Sequence, residues 1–378
     1  MTSWPAAFAE RHVRGAAAAF GLVVAASAPA LAQAPTALSD SAFARLVSTL
    51  SEAPGYFDTD NLISNEDSYL HVVGTLKRLG VTGGTYIGVG PDQNFAYIAA
   101  VRPRIAFIVD IRRDNLLHHL LLKSLFALSR NRIEYVCLLF GRDPPADTSG
   151  WSGRTIGELL AFIDRTPRNT AAVSRVKARV LAGVRRSPVP LTLRDVATIS
   201  RFHDAFIAQG PALRFNTLGR APQPYYPDYR RLLAETDLTG RQSGFLAHEA
   251  DFRTVKSLQD RNLVVPIVGD FAGARALPAI GSWMQEHGET LSAFYTSNVE
   301  QYLFRSGTFT RFAASVSRLS RSGRSVMLRS YFQGGHPQQV AGYHATQVAQ
   351  FVDRFAAVSA AGGFASYRDL VTRDVIRR

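Results

Sequence analysis

The chain has 378 residues, 46% of them hydrophobic and only 19% charged. That balance excludes a disordered, fibrous or repeat-array protein, because there is ample apolar mass for a packed core. Lys and Arg number 43 against 30 Asp and Glu, a formal +13 that favours anionic partners without saying which. The single cysteine, Cys137, excludes an internal disulfide and any CxxC zinc site. The length suits one large domain or a domain carrying a big insertion.

In chain order, residues 1–32 read as a signal peptide. Arg11 and Arg14 precede an apolar run from Gly15 to Ala28, and Ala30-Leu31-Ala32 supplies small residues for cleavage before Gln33. The expected product is exported, periplasmic or extracellular; whether the leader is cleaved or kept as an anchor stays open. Helical spacing follows over Ser39 to Leu50, then a polar stretch from Gly55 to Glu66, then a helix from about Asp67 to Leu79. Beyond Gly83-Gly84 the pattern becomes strand (Thr85–Val89), glycine loop (Gly90–Asn94), helix (Phe95–Val101), strand (Ile105–Asp110) and helix (Asn115 to at least Leu128). Ile133 to Phe140 reads equally as strand or helix end.

From about Arg130 to Asn262 the pattern is helical, with amphipathic stretches at Thr155–Arg185 and Leu193–Ala208 and a proline-rich loop from Gly210 to Tyr229. The β/α rhythm returns with strands at Leu263–Gly269, Leu291–Thr296 and Ser325–Phe332, and helices at Ala276–His287 and Val299–Leu319. A last helix is expected over Gln338–Ala356 and a strand over Tyr367–Ile376. The expectation is therefore an α/β fold, a mostly parallel sheet with helices on both faces and a large helical insertion between the second helix and the third strand. The domain boundaries expected are an N-terminal helical segment at 33–80, a core domain from 81–130 and 263–378, and the insertion at 131–262.

The stretch Tyr86-Ile87-Gly88-Val89-Gly90-Pro91-Asp92-Gln93-Asn94 carries most of the chemical information. Glycines where a strand turns into a helix let a ligand approach the backbone and the free N–H groups of the helix start. Asp110, at the next strand's end and 20 positions after Gly90, suits the hydroxyls of a ribose. Gln93 stands where a dinucleotide fingerprint needs its third glycine, which argues against NAD or FAD. Each feature also has a plain structural reading. Gly88 and Gly90 serve a tight turn, Asp110 caps the next helix or pairs with Arg112 or Arg113, Asp270 caps a helix, and Tyr295 and Asn298 are core and loop residues.

Taken together, these residues resemble the class I S-adenosylmethionine-dependent methyltransferases, in an uncharacterised exported bacterial branch of that Rossmann-like fold. The resemblance covers about 85–110 and 263–332. It implies S-adenosylmethionine as cofactor, with Gly88 and Gly90 beside the methionine moiety, Asp110 on the ribose, and Asp270 and Phe271 at the adenine. It places Tyr295 and Asn298 at the strand end facing an acceptor that the sequence does not identify. Glu66, in a segment that family members fold over the pocket, is the candidate base, and Asp60 lies in the same stretch. The motif-four prolines common in that family are missing from Asn298-Val299-Glu300-Gln301.

Two functions follow as expectations: methyl transfer, or an exported non-catalytic binding protein that reuses the scaffold and contacts an anionic envelope polymer or lipid headgroup. For the second, Arg165, Arg168, Arg175, Lys177, Arg179, Arg185 and Arg186 supply a basic face; nucleic acid is the less expected partner outside the cytoplasm. No metal is expected. His248-Glu249 lacks the second histidine of HExxH, and His118-His119 point in different directions on a helix. No GxSxG or phosphate-loop motif occurs. The oligomeric state is not legible.

Overall fold

A computed structural model describes residues 35–219, 221 and 223–378; the expected leader, 1–32, and its cleavage point lie outside them. The fold is mixed α/β around one six-stranded sheet: β1 Thr85–Gly88, β2 Ile105–Asp110, β3 Val264–Val268, β4 Leu291–Ser297, β5 Arg321–Tyr331 and β6 Thr346–Phe351, in the order β3-β2-β1-β4-β5-β6. The first five run parallel and β6 pairs antiparallel with β5. Every residue of β1, β2 and β3 is buried, which explains why they read as unbroken apolar runs rather than alternating ones.

Helices pack in two sets. One gathers Gln93–Val101, Arg113–Leu128 and Glu249–Asp260; the other gathers Ala276–Glu286, Phe309–Ser317 and Val352–Ala360. Between Arg113–Leu128 and β3 stand the further helices Arg132–Leu139, Ile156–Arg165, Thr170–Arg185, Leu193–Gln209 and Tyr229–Ala234. The ambiguous run at 133–140 is thus helical, started by Asn131, whose side chain accepts from the Glu134 N–H. Among the described residues no helix is long and apolar enough to cross a membrane.

Three tail expectations are corrected. The helix expected over Val299–Leu319 is two, Val299–Arg305 and Phe309–Ser317, broken where Gly307 takes φ +70°. The helix expected over Gln338–Ala356 is strand β6 followed by Val352–Ala360. Its buried glutamines have distant partners that periodicity does not report: Gln347 donates to Glu66 at 2.6 Å, and Gln350 accepts from Arg329 at 2.9 Å. The strand expected over Tyr367–Ile376 is a helix, Tyr367–Thr372, capped by the Ser366 hydroxyl; beyond it Val375 bridges to Gln350 and the Ile376 N–H donates to Ala349 O at 2.7 Å.

The segment 51–67 crosses the carboxyl ends of the strands in the sheet's own order. Glu52 N–H donates to Val268 O (2.9 Å) at β3, and Gly55 N–H to Ile111 O (2.8 Å) beyond β2. Thr59 O accepts from Arg112, Asn61 stands against Gly90 beyond β1, and Glu66 meets Ser297 of β4 and Ser330 of β5. Five strands span about 19 Å between outer axes, whereas 14 residues reach up to about 46 Å when extended. The slack is taken up in turns, among them the one at Asn61 (φ +49°), whose N–H donates to the Thr59 hydroxyl at 3.0 Å. Within the N-terminal segment at 33–80, residues 51–67 thus form a strap bonded to the sheet.

Candidate functional site at the carboxyl edge

Gly88 and Asp110 end adjacent parallel strands, Gly88 in register with Ile108. Gly90, two residues past β1, takes φ +82° and is buried, so no side chain is tolerated without strain. Gly88 is a glycine for a different reason. The Asn94 amide folds back to donate to Val89 O (2.9 Å) and Pro91 O (2.7 Å) and accepts from the Tyr86 hydroxyl (2.8 Å), filling the space a Cβ would need.

Asp110 is engaged by its neighbour. Its Oδ1 accepts from the Arg112 N–H (2.9 Å) and Nε (3.0 Å), and its Oδ2 from Arg112 Nη2 (2.8 Å), with both side chains buried. Arg112 Nη1 donates onward to Thr59 O at 2.7 Å, tying the strap to the pair. At the next strand end Asp270 forms a turn, Oδ1 accepting from Ala272 N–H at 2.9 Å, while its own N–H donates to Glu52 Oε1 at 2.7 Å. The Glu52 carboxylate lies against Gly269 and Gly273. Phe271 belongs to the core: it meets Phe294 edge-on (5.0 Å) and stacks on Phe312 (5.8 Å).

Glu66, 1% exposed, is held by neutral donors alone: the Ser297 and Ser330 hydroxyls and Gln347 Nε2. Tyr295 is wholly buried beside it, its hydroxyl accepting from Gln93 Nε2 at 3.2 Å; burial raises that phenol well above the usual tyrosine range. Asn298 is half-buried at the start of Val299–Arg305, its Oδ1 3.4 Å from the Ser297 hydroxyl. Asp60 sits apart, paired with Arg201 at 2.8 Å. The structure therefore brings Glu66 and Tyr295 together, and Gly90 and Asp110 onto neighbouring strand ends. It leaves Phe271 and Asp60 outside any shared site.

Several residues of this edge were not singled out as site residues by sequence reasoning. Arg112 was named only as a possible partner of Asp110, which it is. Asp92 starts the helix Gln93–Val101 and receives the Tyr229 hydroxyl; burial raises its carboxyl from 3.8 to about 6. His119 Nε2 donates to Gly90 O at 2.9 Å, and burial lowers that imidazole to about 4. Among the described residues no group of His, Cys, Asp and Glu could hold a metal ion.

These residues do not fit S-adenosylmethionine in the arrangement described. The carboxylate that would receive ribose hydroxyls is bonded through both oxygens to Arg112, Glu52 holds the backbone N–H of Asp270, and Phe271 is turned into the core. Fold and edge together define an α/β protein with a mostly parallel sheet whose carboxyl edge is crossed by its own N-terminal strap. The chain belongs to the family described as a domain of unknown function, DUF7790, matching it over residues 62–144 and 213–371, well over half its length. No curated protein matches it.

Proposed function

We propose that the protein is a Rossmann-like, methyltransferase-type scaffold used for binding rather than for methyl transfer, exported and facing an anionic envelope polymer or lipid headgroup. The strand order, with its reversal at β1 and its antiparallel last strand, supports the Rossmann-like reading. The family match passes over 145–212, where three helices stand, which supports a helical insertion there. In that stretch Arg165, Arg185 and Arg186 are exposed and form no ion pair among the described residues, a surface suited to anions; Arg175 and Lys177 are paired with Asp143 and Asp204.

The observation that carries the reading is the Arg112–Asp110 pair at the ribose position. Holding a nucleoside there requires breaking a buried, hydrogen-bonded ion pair, which costs about 3–5 kcal/mol when one partner is lost. Calorimetric titration of the full chain with S-adenosylmethionine and S-adenosylhomocysteine tests it. The expected result is no saturable heat from either compound. Binding that disappears in Asp110→Ala overturns the proposal and restores the methyltransferase reading, with Glu66 and Tyr295 as the groups nearest an acceptor.

A further inference from the structure

The polar side chains at the Gly90 loop and on the first turns of Arg113–Leu128 do not satisfy one another. Gln93, Asn115, His118 and His119 are each more than nine-tenths buried. Yet Gln93 Oε1, both amide atoms of Asn115, both ring nitrogens of His118 and Nδ1 of His119 have no hydrogen-bond partner in the protein. His119 and Gln93 meet at Gly90, and the His118 ring, 6.1 Å from that of His119, packs on Phe206 and Phe202. Asn115 stands one turn before His118 and His119 on the helix Arg113–Leu128, and residues three and four apart share a helix face. The His119 ring reaches the Gly90 carbonyl, and Gln93 Nε2 and Asn61 Nδ2 each lie 3.3 Å from where a side chain at Gly90 would begin.

The donor and acceptor inventory narrows what could satisfy them. Burial lowers His119 to about 4 and holds His118 well below its ordinary value, so both rings are neutral at pH 7. His119 Nε2 faces a carbonyl and must carry the hydrogen, leaving Nδ1 as a lone-pair acceptor. The unmet acceptors are then Gln93 Oε1, Asn115 Oδ1, His119 Nδ1 and one nitrogen of His118. The unmet donors are Asn115 Nδ2 and the other His118 nitrogen. Of the charges that act on the two histidines, Asp110 and Arg112 neutralise each other, and the Asp92 carboxyl in the same loop receives the Tyr229 hydroxyl. An ammonium group would leave the donors unmet, and a carboxylate or phosphate would leave the acceptors unmet with no free cation beside it. A hydroxyl donates and accepts at once. A buried polar group left unpaired costs about 1–3 kcal/mol, so six such atoms on neighbouring residues call for an occupant.

We propose that the space between the Gly90 loop and the first turns of Arg113–Leu128 is a binding site for a small neutral polyhydroxylated molecule, a sugar or polyol. Asn61 closes it on the strap side. The inference rests on the preceding reading, that this edge binds rather than transfers methyl groups, and it adds the ligand class.

The test is calorimetric titration of the full chain with glycerol, D-ribose and D-glucose, alongside nitrogen-15 NMR of the histidine rings. At least one polyol is expected to bind saturably and to move the His118 and His119 signals, with affinity reduced about tenfold or more in Asn115→Leu, the loss expected from one or two hydrogen bonds. His119→Gln, which keeps a polar group of similar reach, provides a second variant should Asn115→Leu fold poorly. No response to any of the three polyols, the result expected if ordered waters alone fill the site, overturns the proposal; so does binding that both variants leave unchanged. Titration with S-adenosylmethionine separates the two readings. Its binding without a polyol response overturns both, and a polyol response without it upholds both.

Discussion

Replacing Arg112 with methionine tests the arrangement of the carboxyl edge most directly. The substitution keeps a long apolar stem but removes three side-chain hydrogen bonds, two to Asp110 and one to Thr59 O. Asp110 would remain buried with only the backbone N–H of residue 112 as donor. Breaking a buried ion pair from one side costs about 3–5 kcal/mol. For a chain of this size, at about 1.3 °C per kcal/mol, melting should fall by roughly 4–6 °C. The strap should also loosen where Thr59 is untied, so chymotrypsin should cut sooner at Tyr56, already 77% exposed, and at Phe57. The double variant Asp110→Asn, Arg112→Met removes the stranded charge and should recover most of the loss, a coupling measurable by denaturant titration of all four proteins. A loss below about 1 kcal/mol, the range of exposed pairs, or strict additivity in the double variant would refute the claim that this pair holds the edge closed.

Further outcomes follow from the same network. Glu66→Gln faces an amide N–H₂ toward hydroxyls and an amide that now donate to a carboxylate, so stability should drop by about 2–3 kcal/mol; an unchanged denaturation midpoint would mean that Glu66 does not tie the strap to β4 and β5. Asp92 has its folded pKa raised from 3.8 to about 6, so the folded state holds its proton more tightly and stability is lost as pH rises across that interval. Asp92→Asn, which still accepts from Tyr229, should therefore gain roughly 2–3 kcal/mol over the parent chain at pH 7 and nothing at pH 3.5, read from paired melts. His119, lowered to about 4, works the other way: the unfolded state takes up the proton first, so its contribution is lost as pH falls from about 6.5 toward 4, and His119→Gln should flatten that limb. Cys137 is buried with its thiol raised above the ordinary range, so iodoacetamide should label it only after denaturation; rapid labelling of the native chain would contradict its placement.

What was legible in the sequence depended on whether local pattern or distant partners decided the element. The strands β1 to β4 are buried on every residue but one and bounded by turns, so apolar runs announced them. The glycine loop announced itself too, although Gly88 answers to Asn94 and Tyr86 rather than to a ligand. The tail was misread because β6 carries two glutamines and a threonine at buried positions, made tolerable by Glu66 and Arg329, residues far away in the chain. The polar stretch at 55–66 reads as turns and is irregular backbone with bends at Asp58, Leu62, Ile63 and Asn65. What its composition could not say is that this backbone runs along the ends of five strands.

That strap explains why the motif residues and the site they suggest part company. A glycine at a strand tip and an acid at the next are required by the turn geometry and by Arg112, whatever lies above them. The spacing that suits a ribose equally suits a guanidinium two residues on, and the guanidinium is always present whereas a ligand is not. Discrimination therefore rests on the groups that neither turn nor ion pair accounts for. Asn115, His118, His119 and Gln93 are such groups: none is required by the helices that carry them, and Gln93 and His119 lie against the one loop residue, Gly90, whose backbone excludes a side chain. Were the edge purely structural, apolar residues of similar volume at these four positions would pack without the cost of buried, unpaired polar atoms.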